Sequence, residues 1–90
     1  MTGRYRVHMS SDAQRVVRTE LPQDVAIGVF ALAQRTLAVD PRSCGEPLPG
    51  IYDGLWAIER SEYVLHYEID EMDRAVRIVM IRPLPGSRLV

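Results

Sequence analysis

Lysine is absent from this sequence: all eleven basic residues are arginine. Twelve acidic residues set against them leave a formal charge of -1, so the chain lacks the positive excess with which nucleic-acid binders displace counterions from phosphates. Any contact with RNA or DNA would need a local basic patch. The arginine-only habit assigns no function by itself, although guanidinium groups make planar, bidentate phosphate contacts. Cysteine is nearly absent too. The single Cys44 excludes an internal disulfide framework, and with only His8 and His66 beside it the sequence argues against a structural zinc site. No metal and no cofactor is expected. No apolar run approaches the ~18 residues of a membrane span. Met1-Thr2-Gly3-Arg4-Tyr5-Arg6 leads into an alternating segment rather than the apolar stretch of a signal peptide, so a cytoplasmic protein without a membrane partner is expected. Repeats, low-complexity tracts and long linkers are missing as well. Ninety residues, 47% of them hydrophobic, leave room for one domain over 1–90. A domain of this size buries only ~60% of its unfolded surface, which makes a partner protein or a second copy an expected source of stability.

What is present reads as a strand, two helices and three strands. Arg4 to Met9 alternates, with Tyr5, Val7 and Met9 on one face and Arg4, Arg6 and His8 on the other. Ser11-Asp12-Ala13-Gln14 fits a capping box that opens a first helix, and Ala13, Val16, Val17 and Leu21 form its apolar stripe until Pro22 ends it near Glu20. A second helix over Gln23 to Val39 carries the stripe Ala26, Val29, Phe30, Ala33 and Leu37, with Ile27, Ala31 and Ala38 adding apolar area elsewhere. The two helices read as an antiparallel hairpin. Asp40 to Gly50 holds three prolines and two glycines and reads as a loop. Leu55 to Arg60 and Tyr63 to Asp70 form a strand hairpin, and Ala75 to Ile81, apolar on both faces, reads as a central strand covered twice. The fold class expected is α+β, with the N-terminal strand and a three-strand antiparallel meander in one twisted sheet.

This order, with Leu37-x-x-Asp40-Pro41, Gly45-x-x-Leu48-x-Gly50, Gly54-Leu55-Trp56 and Tyr63-x-x-x-Tyr67-Glu68-Ile69-Asp70, resembles the RelE/ParE superfamily of bacterial toxins over Arg4 to Arg82. The resemblance implies a RelE-like fold and the toxin half of a type II toxin-antitoxin pair, held silent by a cognate antitoxin. RelE-type members enter the ribosome and cut mRNA, whereas ParE-type members inhibit DNA gyrase. It therefore implies the ribosome and mRNA, or gyrase, as partners, with a homodimer as a further option. The chain also departs from the pattern. Ala57 and Glu59 stand where RelE-type strands carry basic residues, Val64 replaces an arginine, and the stretch Pro83 to Arg88 lacks the aromatic or histidine that often follows the last strand's arginine. That arginine is matched by Arg82.

RNA cleavage by the adjacent 2′-hydroxyl needs a base, cationic donors for the phosphate and an acid for the leaving oxygen. The residues left for this work are Arg82 on phosphate and Glu59 or His66 moving protons, with Glu68 on the same face and Arg60 nearby. Arg4, Arg6, Arg15, Arg18 and Arg60 are the candidate RNA-binding residues. Solvated strand and helix faces account for them equally well. Val64, Val76, Ile78 and Met80 take positions on the face of the missing cations and form the expected surface for an antitoxin segment or second subunit. If that face is used for binding alone, the protein is a gyrase inhibitor or a toxin homologue that has lost its chemistry. Tyr5, Trp56, Tyr63 and Tyr67 fall on the core side by strand phase. Cys44, in a Pro/Gly loop with no histidine near it in sequence, has little support as a nucleophile.

Overall fold

The structure is a computed structural model and describes residues 4–50 and 54–85. Gly86, Ser87 and Arg88 of the C-terminal stretch lie outside the described residues. The elements run β1 (Arg6–Met9), α1 (Ser11–Thr19), α2 (Gln23–Leu32), a π-helical extension (Ala33–Leu37), β2 (Glu46–Pro47), β3 (Leu55–Glu59), β4 (Tyr63–Asp70) and β5 (Ala75–Pro83). One five-stranded sheet has the order β1-β5-β4-β3-β2, with β1 parallel to β5 and the other pairs antiparallel. The expected α+β class and meander are present. The loop before β3 supplies a further edge strand, β2, which the three prolines of that segment concealed.

Strand alternation puts Ile58, Tyr63, Leu65, Tyr67, Val76, Ile78 and Ile81 on one face, where they pack with Ala13, Val16 and Val17 of α1 and Val25, Val29 and Leu32 of α2. The helices cover that face alone. β5 is central but not covered twice: Arg77, Met80 and Arg82 are exposed on its other side. The phase of β5 changes midway. Tyr67 lies opposite Ile78 and His66 opposite Met80, so Val79 is an extra residue, a β-bulge.

Ser10, not Ser11, caps α1. Its hydroxyl accepts a hydrogen bond from the Ala13 amide at 3.1 Å and donates to the carbonyl of the bulged Val79 at 2.6 Å. The Gln14 amide reaches back to the Met9 carbonyl at 2.9 Å. In α2 the buried line is Val25, Val29 and Leu32, continuing through Ala33 and Leu37, while Ile27 is 61% and Phe30 51% exposed. Of the expected stripe, Val29, Ala33 and Leu37 are buried and Ala26 packs against the core, but Phe30 is exposed and Val25 and Leu32 take its place, because a helix apolar nearly all round does not single out one face. The π turn then shifts the phase, closing with the Ala38 amide on the Ala33 carbonyl at 3.0 Å.

The segment 43–49 straps the sheet edge. Tyr67 Oη donates to the Pro41 carbonyl at 2.6 Å, and a side chain at Gly45 would overlap Tyr67 Oη and the Ala57 carbonyl. At the other end of the sheet Glu71 accepts from Tyr5 Oη and from Arg42, the latter at 2.6 Å, and Arg74 lies over the Tyr5 ring with φ +50°.

Ser10→Ala removes both hydroxyl bonds, so a loss of about 1–2 kcal/mol in chemical denaturation is expected, with Ser10→Thr retaining most of it. Gly45→Ala forces the strap off Tyr67 and is expected to lower stability by about 1–3 kcal/mol. An unchanged denaturation midpoint in Gly45→Ala would show that the strap is not clamped there.

Candidate functional site

The sheet face away from the helices is open, and pairing across β3, β4 and β5 arranges it in rows. Glu59, Val64 and Arg82 form one row, and Ala57, His66 and Met80 the next. Glu68 and Arg77 stand opposite each other, with His8 of β1 beside Arg77. Directly opposed side chains in such rows stand ~5 Å apart at Cβ. Arg82 and Glu59 thus flank Val64, and Arg82 lies diagonal to His66. Glu59, Glu68 and Arg82 are exposed and His66 is half-buried. Burial, and then the positive charge of Arg82, hold the His66 pKa below its ordinary value of 6.5. The imidazole is therefore neutral at pH 7. Among the described residues no hydrogen bond or ion pair joins Glu59, His66 and Arg82 to one another.

The four apolar positions expected to share this face do not. Val64 and Met80 lie on it, Val64 buried between its neighbours and Met80 exposed, whereas Val76 and Ile78 have no exposed surface and pack in the core with the helices. The bulge at Val79 is the reason, since residues before and after it fall on opposite faces in a count by twos. The five arginines proposed for RNA do not form one patch either. Arg6 is on the open face and donates to the Asp73 carbonyl at 3.2 Å, whereas Arg4 donates to the Gln34 carbonyl at 2.6 Å. Arg15 and Arg18 are exposed on α1, on the helical side of the sheet, and Arg15 stands 3.5 Å from both Asp12 and Glu20. Arg60 sits in the β3–β4 turn, where it donates to the Glu59 carbonyl at 3.4 Å.

Two residues on this face were missed. Arg77, 3.9 Å from Glu68 in an exposed ion pair, lies in the run read as covered on both sides. Glu46 lies opposite Ala57 because β2 exists. The only sequence signal for Arg77 was its own charge inside an apolar run; for Glu46 there was none. A groove of about 570 Å3 separates the strap from the open face and is lined by Glu46, Leu48, Ala57, Glu59, Arg60 and Val64 among others. Cys44 borders it, its thiol pKa pushed up chiefly by burial, which disfavours the thiolate a nucleophile needs. Among the described residues no three His, Cys, Asp or Glu side chains gather as a metal site would require. No helix among them is long and apolar enough to cross a membrane.

Neither a protein-family model nor a curated protein matches the sequence. Solved structures do match the fold. The chain superposes on a chain of the RelBE2 toxin-antitoxin complex of Mycobacterium tuberculosis with a TM-score of 0.86 and 26% identity, over 93% of this chain and 95% of that one. It matches the intact RelBE toxin-antitoxin complex of E. coli with a TM-score of 0.73 and 20% identity, over 89% and 96% of the two chains. For the isolated E. coli RelE toxin the TM-score is 0.72 at 17% identity, over 93% and 88%. At these lower identities the likeness concerns the fold alone. Element order, sheet topology and the M. tuberculosis match together place this chain in the RelE superfamily.

Proposed function

We propose that this protein is the toxin of a type II toxin-antitoxin pair, and that it inhibits translation in the cytoplasm by cutting mRNA on the ribosome. The observation that carries the reading is the placement of Arg82 beside a half-buried, neutral His66 on the open face. Cleavage would proceed by attack of the ribose 2′-oxygen on the adjacent phosphorus. The bond to the 5′-oxygen breaks, leaving a 2′,3′-cyclic phosphate and a 5′-hydroxyl. Neutral His66 takes the proton of the 2′-hydroxyl, Arg82 holds the non-bridging oxygens as charge develops, and the leaving oxygen takes a proton from solvent. Glu59, one row away, is the second candidate base. Arg77 and Arg6 extend the cationic surface toward β1. A cognate antitoxin would silence the protein by covering this face, with Val64 and Met80 as its apolar contacts. A second reading, a binding module without chemistry acting on gyrase or on the antitoxin alone, is favoured by one observation: among the described residues no hydrogen bond orients the His66 imidazole.

With translating ribosomes and a defined mRNA, Arg82→Ala is expected to lower the cleavage rate roughly 100- to 1,000-fold, the usual effect of removing one such donor. Because Arg82 is exposed, its fold should persist, as circular dichroism would report. Equal rates for the variant and the wild type would remove the nuclease reading, and inhibition of supercoiling by the same protein would install the gyrase one. Cleavage is also expected to decline as His66 protonates on acidification, with a midpoint below its ordinary value of 6.5. In an NMR titration the His66 midpoint should rise toward 6.5 in Arg82→Ala, since one of the two lowering causes is gone and burial remains.

A further inference from the structure

We propose that the groove between the strap and the open face is a base subsite, in which Glu46 selects a base carrying an exocyclic amino group on the 5′ side of the cut. The proposal rests on the nuclease reading above. Glu46 lies opposite Ala57, and Ala57 lies opposite His66. At ~4.8 Å per strand, the row runs about 10 Å from the backbone at Glu46 to the backbone at His66. A nucleoside spans roughly 7 Å from its 2′-hydroxyl, at the proposed base, to the far edge of its ring, so it fits within that row with a hydrogen bond of ~3 Å to spare. Ala57, between the two, is small enough to leave the floor of the row open. Leu48, Ala57 and Val64 give the groove apolar walls against which a ring can lie. Its volume of about 570 Å3 suits one nucleobase with room for solvent.

The polar groups define what would be read. The Glu46 side chain is exposed and engages no hydrogen bond or ion pair among the described residues, its backbone alone pairing with β3. Its carboxylate accepts and cannot donate, so the donor must come from the ligand. Cytosine presents an amino group at N4 where uracil, of the same shape, presents a carbonyl oxygen. A carboxylate facing that oxygen is both unpaired and repelled, which rejects uracil beyond the loss of one bond. Adenine and guanine also carry amino donors and pass the same test. Arg60, at the other end of the groove, supplies a donor for ring carbonyls or phosphate.

The test uses two mRNAs that differ only in cytosine or uracil immediately 5′ of one cleavage site, translated by the same ribosomes with wild-type protein and with Glu46→Gln. The ribosome's own preference is common to both proteins and cancels in the comparison. The wild type is expected to cut after cytosine about tenfold faster than after uracil. Glu46→Gln, whose amide both donates and accepts, is expected to bring the ratio close to one without losing the cut after uracil. A wild-type ratio near one, or a ratio unchanged by Glu46→Gln, overturns the subsite while leaving the nuclease reading standing. No cleavage of either message by folded protein overturns both.

Discussion

The open face has its present composition because Ser10 holds β5 in a bulged path. The serine hydroxyl is bound on both sides, accepting from the first turn of α1 and donating to the carbonyl of Val79, while its amide binds the Ile78 carbonyl at 2.9 Å. One side chain thus fixes where β1 ends, where α1 begins and where β5 takes its extra residue. In a regular strand Met80 and Arg82 would follow Val76 and Ile78 into the core, and Ile81 would face solvent. Burying the Arg82 guanidinium without a partner costs several kcal/mol, about as much as many small domains can spare. The bulge resolves that conflict by returning Ile81 to the core, where it is 1% exposed, and setting Arg82 free on the other side.

The rest of the site depends on how a thin, one-sided sheet keeps its ends in place. The strap carrying Glu46 is fixed through Tyr67, which is fully buried, stacks on Trp56 at 6.2 Å between ring centroids and donates to Pro41. Burial, together with the Cys44 thiol, raises the Tyr67 phenol well above its ordinary range, so it stays a donor at any physiological pH. Arg42, 6.0 Å over the Trp56 ring, then ties the same segment to Glu71 at the β4–β5 turn. Glu71 is exposed, and its ion pairs contribute little individually. Their effect is geometric, since Tyr5, Arg42 and Arg74 converge on one carboxylate and join β1, the strap and the turn.

Most of the fold was legible from period and punctuation. β4 runs over the residues its alternation marks, and Pro22 separates the two helices where proline chemistry requires. The misses share a physical cause. Phe30 was misplaced, although Val29, Ala33 and Leu37 of the same stripe are buried, because a helix apolar on most sides gives a weak phase, and a π turn adds a residue that a 3.6 period does not count. Val76 and Ile78 were assigned to the wrong face because a bulge is a tertiary event, fixed here by Ser10 from 69 positions away, and nothing local in Ile78-Val79-Met80 announces it. β2 was invisible because Glu46-Pro47 pairs only by lying against β3. Glu59, His66, Glu68 and Arg82 share one sheet face, as strand alternation implies for the three on β3 and β4, while Arg82 is brought into phase by the bulge.

The paired effect of Arg82 bears on how a face with so few cations could still cleave RNA. Under the proposed function Arg82 does two things at once: it receives the phosphate, and its charge, after burial, holds the His66 pKa down. These roles are coupled through the ligand. When a phosphate neutralises the guanidinium, the electrostatic cause of the lowered pKa weakens while burial remains, so the imidazole becomes a stronger base only with substrate in place. A base works best when its pKa lies near the ambient pH, and phosphate binding moves His66 in that direction. On this account the loss of cations at positions 57, 59 and 64 removes charge that would have kept His66 depressed after phosphate binds. The substitutions that make the face look poorly equipped are then the ones that let a single arginine switch the histidine.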